Sequence, residues 1–209
     1  MKISLIFLII FSAFSISAQT TIFETKNPNV GFGNSSDCIN NQYMDFCVNG
    51  QLVKTGGLPA GGYIDNGYQI QDWITPETGG GNFAIGNGVL GLGIDGKLCM
   101  VSYENIEQLP TMKWAIQNGP ILVQNGINAR GTSQSKYVRS GIGYKSDGTL
   151  CVIVSQTPVT FRGFAQLFVD AGCVSAMYLD GGPYVGYSDN QTSNTGMVEG
   201  AIKLQFFNN

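Results

Sequence analysis

Histidine is absent from all 209 residues of the sequence. This absence excludes Ser-His-Asp and Cys-His nucleophilic catalysis, and it excludes zinc sites built on imidazole ligands. Any acid–base chemistry must therefore come from carboxylates, tyrosine, lysine or cysteine.

Charge is also scarce, since only 12% of the residues are charged and the formal net charge is -3. The 11 basic residues are scattered singly along the chain, so there is no basic patch to hold a nucleic-acid backbone. We therefore expect no nucleic-acid partner. Glycine, in contrast, is abundant with 29 residues, about twice the usual share. This composition favours many tight turns between strands over a helical bundle.

Long apolar runs are missing after the first residues of the chain. Residues 3–16 are almost wholly apolar, follow the positively charged start Met1-Lys2, and precede the small residues Ser17-Ala18. That layout is typical of a secretory signal peptide and is short for a membrane span. We predict a signal peptide over 1–18, one domain over 19–209, and a secreted or periplasmic mature chain without a transmembrane span. An uncleaved membrane anchor is the alternative.

The five cysteines are an odd number, so at least one thiol lacks a partner within the chain. Cys38 and Cys47 are close enough in sequence for a local disulfide in an exported protein. Cys99, Cys151 and Cys173 lie in apolar runs and are predicted to be buried as small hydrophobic residues. Without histidine, a nucleophilic cysteine is disfavoured.

The most informative stretch is Ala176-Met177-Tyr178-Leu179-Asp180-Gly181-Gly182. An apolar run with strand propensity ends there in one carboxylate and two glycines, which let other groups approach the backbone closely. This arrangement suggests the edge of an active site. An Asp-Gly turn between two strands would give the same pattern.

A β–α–β unit leads into this stretch. Residues 149–155 form an apolar strand, Thr160 is a plausible N-cap, and an aromatic helical face follows until Gly172. The helix returns the chain to the strand 173–179, and we expect the two strands to be parallel in one sheet.

Ligands in such units bind beyond the carboxyl ends of the strands. The predicted unit therefore places Ser155, Thr157 and Thr160 on the same side as Asp180.

Turn signals divide the rest of the chain. Asn66-Gly67, Asp95-Gly96 and Asn125-Gly126 predict tight turns beside strands. Residues 75–83 are glycine-rich without the context of a phosphate-binding loop, so we expect a bend there. Residues 105–117 are expected to hold one short helix broken by proline.

Five segments of the chain together resemble the phosphodiester glycosidase family, in the family's order. They are Gln117-Asn118-Gly119-Pro120-Ile121-Leu122-Val123, Arg139 with Gly141-Ile142-Gly143, Val152-Ile153-Val154-Ser155 with Pro158-Val159-Thr160-Phe161, Phe164-Ala165 with Leu167-Phe168, and Ala176-Met177-Tyr178-Leu179-Asp180-Gly181. The resemblance implies an α+β single domain built on a curved mixed β-sheet with few helices. It also implies hydrolysis of a sugar-phosphate phosphodiester, such as an N-acetylglucosamine-1-phosphodiester, to free sugar and a phosphomonoester. Surface glycoconjugates are a further substrate class that the resemblance implies.

Catalytic roles go to two residues. Arg139 is one of only three arginines, and its planar fork suits phosphate oxygens, although a structural ion pair is its alternative role. Asp180 is the predicted base or nucleophile at the anomeric centre. The chain offers no carboxylate cluster to hold a divalent cation near Asp180, so we predict no cofactor while leaving that cation open.

The predicted substrate-binding residues are Asn118, Gly119, Ser155, Thr157, Thr160, Gly181 and Gly182. Asn118 and the Gly119 backbone could orient the phosphate or a sugar hydroxyl, or could simply form a turn. Thr160 is equally well explained as a helix cap.

The sequence departs from the family pattern at two places. Gly163 stands where the family often has a glutamate three residues after the cap, and Pro183-Tyr184 follows the glycines where the animal-type members have Gly-Ser. We interpret the missing glutamate as the loss of a capping box. The departures leave a second hypothesis open, a non-catalytic glycan-binding or surface-interaction module with the same fold.

Overall fold

The computed structural model describes residues 20–26, 29–33, 44–50, 60–79, 81–189 and 203–207. The predicted signal peptide over 1–18 lies outside the described residues. So does Cys38, and the Cys38–Cys47 disulfide therefore stays a prediction.

Strands dominate the described residues, and the helices are few. The strands are β1 (Thr20–Thr25), β2 (Asn29–Gly33), β3 (Met44–Asn49), β4 (Tyr63–Asp65), β5 (Tyr68–Gln71), β6 (Gly88–Gly93), β7 (Leu98–Ser102), β8 (Met112–Asn118), β9 (Ile121–Gln124), β10 (Ile127–Asn128), β11 (Arg139–Lys145), β12 (Leu150–Ser155), β13 (Cys173–Gly181), β14 (Tyr187–Asp189) and β15 (Lys203–Phe207). The α-helices are α1 (Pro76–Gly79), α2 (Gly81–Ala84) and α3 (Phe161–Asp170). This content confirms the predicted α+β class with few helices.

The strands form three sheets. Their orders are β1-β12-β11-β13-β9-β10, β14-β3-β15-β2 and β5-β4-β8-β6-β7. Every strand pair within the described residues is antiparallel.

The predicted β–α–β unit consists of β12, α3 and β13. β11 lies between the two strands and pairs antiparallel with each of them, so β12 and β13 are parallel as expected without being neighbours. Their carboxyl ends lie at one edge of the six-stranded sheet, and β11 begins at that same edge.

Helix α3 covers one face of the six-stranded sheet. Its buried residues Phe164, Ala165 and Phe168 pack in one cluster with Ala176 and Tyr178 of β13. Successive strand residues point to opposite faces, and the intervening Met177 and Leu179 belong to the main core on the other face of the sheet.

The turns follow the sequence signals. Asn66 and Gly67 have positive φ angles of 48° and 83°, and Asn125 closes β9 with a φ of 52°. Asn and Gly tolerate this left-handed conformation at little steric cost. The turns predicted at these pairs are therefore confirmed.

Two local expectations were wrong. The bend expected over 75–83 instead holds the short helices α1 and α2. The helix expected over 105–117 is a 3₁₀ turn at Tyr103–Gln108 followed by β8. In both places the local sequence has no strong preference between helix, strand and turn, so packing against neighbouring elements determines which one forms.

Candidate active site

Strand pairing brings the two predicted catalytic residues to one place. Arg139 begins β11, and its partner across the ladder on β13 is Gly181, the residue after Asp180. Backbone register therefore sets the spacing between the guanidinium and the carboxylate, because both residues belong to adjacent strands and not to loops.

A cavity of about 480 Å³ opens at this edge of the sheet. Four predicted site residues line it, namely Arg139, Asp180, Gly181 and Gly182. The other lining residues comprise three aromatic side chains and a set of smaller residues, which are Tyr137, Phe161, Tyr178, Asn82, Ser133, Ser135 and Pro183. The cavity thus combines a cation, a carboxylate, aromatic rings and neutral polar groups.

Arg139 is only 2% exposed. Its guanidinium donates from Nε to the Val159 carbonyl at 3.0 Å and from Nη2 to the Ser135 carbonyl at 3.3 Å. Its Cζ lies 3.6 Å from the centroid of the Phe161 ring. Burial lowers the pKa of Arg139 from its ordinary value, but a guanidinium stays charged at any physiological pH.

No carboxylate within the described part of the chain forms a salt bridge with Arg139. A buried charge usually has an ionic partner, because burial without one carries a large desolvation penalty. The neutral carbonyls and aromatic faces offset part of that penalty. The Arg139 guanidinium is therefore a buried cation at the cavity wall with no carboxylate partner among the described residues.

Asp180 is 3% exposed. Its Oδ1 accepts a hydrogen bond from the Gly181 backbone N–H at 2.7 Å. Burial raises the pKa of Asp180 to about 7, and the Gly181 hydrogen bond and the charge of Lys203 oppose that rise. A carboxyl with a pKa near neutrality can exchange a proton at physiological pH, which is the property of a general acid or base.

Lys203 is a charged group near Asp180 that the sequence analysis missed. It is fully buried on β15, and burial lowers its pKa to about 8 while the charge of Asp180 raises it. Lysine is almost never fully buried without a compensating partner. The sequence signal for a strand at this position was the run Lys-Leu-Gln-Phe-Phe, which Lys203 begins.

Tyr178 was also missed as a site residue. It is 3% exposed, and its ring centroid lies 5.7 Å from Arg139 Cζ. Burial, and to a lesser degree the charge of Asp180, raises the pKa of Tyr178, so the hydroxyl keeps its proton at neutral pH. The signal in the sequence was spacing, because Tyr178 and Asp180 are two residues apart and share one strand face.

Two buried serines hold the backbones of the catalytic candidates. Ser155 Oγ accepts from the Arg139 N–H at 2.8 Å and donates to the Arg139 carbonyl at 3.4 Å. Ser140 Oγ makes the equivalent pair with Asp180, at 3.2 Å each way. Ser155 thus lies at the predicted edge, but it contacts Arg139 and does not line the cavity.

The other predicted binding residues lie around the site without lining the cavity. Asn118 is fully buried and donates to the Leu179 carbonyl at 2.8 Å, while its Oδ1 accepts from the Gly119 N–H at 3.0 Å. Thr160 accepts from the Gly163 N–H at 3.0 Å and caps α3. Thr157 is exposed. The geometry of Thr160 fits its alternative role as a helix cap, whereas Asn118 ends β8 and links that strand to Leu179 of β13.

Among the cysteines that the structure describes, Cys99, Cys151 and Cys173 carry free thiols. Cys151 and Cys173 are buried as expected, whereas Cys99 is partly exposed. Within the described segments, no three or more Cys, Asp and Glu residues are grouped so that they could hold a metal ion. None of the helices that the structure describes combines the length and the apolar character needed to cross a membrane.

Comparison with known proteins gives a consistent result. A family model described as phosphodiester glycosidase matches residues 41–199. The chain is 31% identical over 159 residues to the uncharacterized protein YigE of Escherichia coli (strain K12), a match that covers 69% of this chain and 62% of YigE. The chain therefore spans somewhat less than two thirds of that relative's length.

Two solved structures share the fold. The catalytic domain of zebrafish N-acetylglucosamine-1-phosphodiester alpha-N-acetylglucosaminidase, auto-inhibited by its pro-peptide, matches with a TM-score of 0.65 and 16% identity, over 93% of this chain and 85% of that one. A hypothetical protein from Synechocystis matches with a TM-score of 0.53 and 12% identity, over 91% of this chain and 57% of that one. Together with the family match, which takes in Arg139 and Asp180, these findings show that the chain belongs to the phosphodiester glycosidase family.

Proposed function

We propose that this protein is an exported glycosidase that hydrolyses a sugar-phosphate phosphodiester to free sugar and a phosphomonoester. The observation that carries the proposal is the pairing of two buried groups in one cavity. Arg139 has no salt bridge to a carboxylate within the described residues, and Asp180 lines the same cavity with a pKa raised to about 7.

The Arg139 guanidinium supplies the binding site for the phosphate. A phosphodiester is an anion at every physiological pH, and a planar guanidinium can donate two parallel hydrogen bonds to its oxygens. Two of the guanidinium nitrogens already donate to backbone carbonyls. These bonds fix the plane of the group before the substrate arrives, so little reorganisation is needed on binding.

Asp180 acts at the anomeric carbon. In its ionised form it takes a proton from a water molecule while the water oxygen forms a bond to that carbon. The bond from the anomeric carbon to the phosphate oxygen breaks, and its electron pair leaves with the phosphate. Arg139 offsets the negative charge that develops on the phosphate. Because a phosphate is a better leaving group than an alcohol, its departure needs less acid assistance.

The substrate class follows from this chemistry. We propose a sugar-phosphate or a surface glycoconjugate with a sugar-phosphate linkage, acted on outside the cytoplasm. No cofactor has a role in the step as written.

The test is sugar release from a panel of sugar phosphodiesters that includes UDP-N-acetylglucosamine. The chain from residue 19 onward is compared with its Asp180→Asn variant, with Asp95→Asn as a matched control on the exposed β6–β7 turn. We expect Asp180→Asn to lose at least about a hundredfold in kcat, since acid–base catalysis contributes roughly that much or more, while Asp95→Asn keeps wild-type activity.

Full activity in Asp180→Asn would overturn the assignment of Asp180. Tight sugar-phosphate binding without turnover by the wild-type chain would instead support the glycan-binding alternative.

A further inference from the structure

We propose that Tyr137 is the stacking platform for the sugar ring, so that the cavity has a pyranose subsite beside its phosphate subsite. This inference rests on the proposed function, in which Arg139 binds the phosphate of the substrate. It adds the residue that recognises the sugar.

The Tyr137 ring is exposed while its backbone is fixed. The residue is 54% exposed, and it lines the cavity. The Tyr137 N–H donates to the Val159 carbonyl at 3.1 Å, and the Val159 N–H donates to the Tyr137 carbonyl at 2.9 Å. This isolated β-bridge anchors the residue against the segment before α3. An aromatic ring held open to solvent by a fixed backbone loses little conformational entropy when a ligand covers it.

Tyr137 differs from the other two aromatic residues around Arg139. The Phe161 ring lies against the guanidinium at 3.6 Å, and Tyr178 is 3% exposed, so neither has an open face of comparable size. The Tyr137 centroid is 5.5 Å from Arg139 Cζ. A sugar ring whose anomeric oxygen is bonded to a phosphate held by Arg139 would lie within reach of the Tyr137 side chain.

The surroundings favour a sugar over an aliphatic group. Asn82, Ser133 and Ser135 line the cavity together with Tyr137. A pyranose has faces of C–H groups and a rim of hydroxyls, which suits an aromatic face bordered by neutral hydrogen-bonding groups. An aliphatic chain would leave those polar groups without water or partners, at a cost in affinity.

The experiment measures binding by calorimetry in the Asp180→Asn background, so that turnover does not interfere. The probes are the 1-phosphates of glucose, galactose, mannose and N-acetylglucosamine, with inorganic phosphate as the sugar-free reference. For the best-bound sugar phosphate, we expect Tyr137→Ala to weaken Kd about tenfold and Tyr137→Trp to retain it, in line with aromatic contact energies. The Kd of inorganic phosphate should change less than about twofold.

Tyr68→Ala is the matched control, because Tyr68 is 74% exposed on β5 and does not line the cavity. It should leave every Kd unchanged. An unchanged Kd for the sugar phosphate in Tyr137→Ala would overturn the proposal. So would a wild-type chain that binds no sugar phosphate more tightly than inorganic phosphate.

The two proposals fail separately. If sugar phosphates bind through Tyr137 but no phosphodiester is hydrolysed, the catalytic function falls and the sugar subsite stands. If hydrolysis depends on Asp180 but Tyr137→Ala leaves both KM and Kd unchanged, the subsite falls and the catalytic function stands.

Discussion

Arg139 and Phe161 form a stacked pair, with the guanidinium carbon 3.6 Å from the ring centroid. Phe161 is the first residue of α3, directly after the cap residue Thr160. The start of the helix therefore forms one wall of the proposed phosphate site. A residue identified in sequence as part of an apolar helical face thus positions a charged group.

Arg139→Lys should abolish most of the activity although it keeps the positive charge. An ammonium cannot reproduce the planar fork or the stack on Phe161, and it reaches fewer of the carbonyls that hold the guanidinium. We expect kcat/KM for the best phosphodiester to fall by about a hundredfold, which corresponds to about 2.7 kcal/mol. Steady-state kinetics measures this, and Arg162→Lys, on the exposed face of α3, should behave as wild type. Equal loss in both variants would mean that the stack has no special role.

The pH dependence of kcat/KM should report Asp180. Burial raises the pKa of this carboxyl to about 7, so its ionised form predominates only above that pH. Because the proposed step requires the ionised form as a base, kcat/KM should fall about tenfold per pH unit below pH 7. The charge of Lys203, whose own pKa is lowered to about 8, opposes the rise in the pKa of Asp180. Lys203→Met removes that charge and should therefore shift the fall in kcat/KM to higher pH. A flat profile between pH 5 and 7 would contradict the role of Asp180 as base.

Asp180 should also make the folded state less stable at high pH. Its pKa is about 7 in the folded protein and about 3.9 in an unfolded chain. The folded state therefore binds the proton more tightly, and that contribution to stability is lost as pH rises through 7. Asp180→Asn should raise the free energy of unfolding at pH 8 by a few kcal/mol relative to its effect at pH 4. Denaturant unfolding at both pH values measures the difference. Equal effects of the substitution at pH 4 and pH 8 would show that folding does not raise the pKa of Asp180.

Gly163→Glu tests whether the glutamate that the family often carries there acts in capping or in chemistry. Gly163 is the third residue of α3, and its N–H already donates to Thr160 Oγ1 at 3.0 Å. A glutamate there could complete a capping box and would replace a residue with poor helix propensity, adding about 1 kcal/mol of stability. Thermal unfolding should show a raised Tm with kcat/KM within about threefold of wild type. A rise in kcat of a hundredfold without stabilisation would assign the glutamate to catalysis instead.

Gly181→Ala should be damaging for a reason that depends on Tyr178. A Cβ at residue 181 would collide with the Tyr178 hydroxyl, and it would also lie 3.1 Å from the Val138 carbonyl. We expect the free energy of unfolding to fall by about 1–3 kcal/mol, as for overpacking of a close-packed site. In a Tyr178→Phe background the penalty should shrink, because the colliding oxygen is gone. A double-mutant cycle measures this coupling, and strict additivity would rule out the contact as the cause.

Much of the scaffold could be predicted because local signals and tertiary structure agree. The helix cap at Thr160, the positive-φ glycine at residue 172 and the strand with Asp180 near its carboxyl end all occur where the sequence indicated. The parallel relation of β12 and β13 was also predictable from the helix between them. The insertion of β11 between them was not, because pairing of strands distant in sequence leaves no mark on either strand alone.

The site was predicted in part for the same reason. Arg139, Asp180 and their glycine neighbours line one cavity, whereas Asn118, Ser155 and Thr160 support the surrounding backbone. Lys203 could not be linked to Asp180 from sequence, since it comes from a different sheet. Tyr137 was overlooked because an exposed tyrosine in a polar loop carries no periodic pattern.

The position of β11 between the parallel strands has a consequence for how substrate preference could change. The proposed reactive pair belongs to a hydrogen-bonded ladder. Most of the residues that would contact the sugar, Tyr137 among them, belong to the connection over 129–138, which enters that ladder at Arg139. Side chains of that connection can change while the register that sets Arg139 opposite Gly181 stays the same, whereas its backbone at Ser135 also holds the guanidinium. If both proposals hold, strand register positions the groups that cleave the bond, and side chains of a neighbouring connection select the sugar.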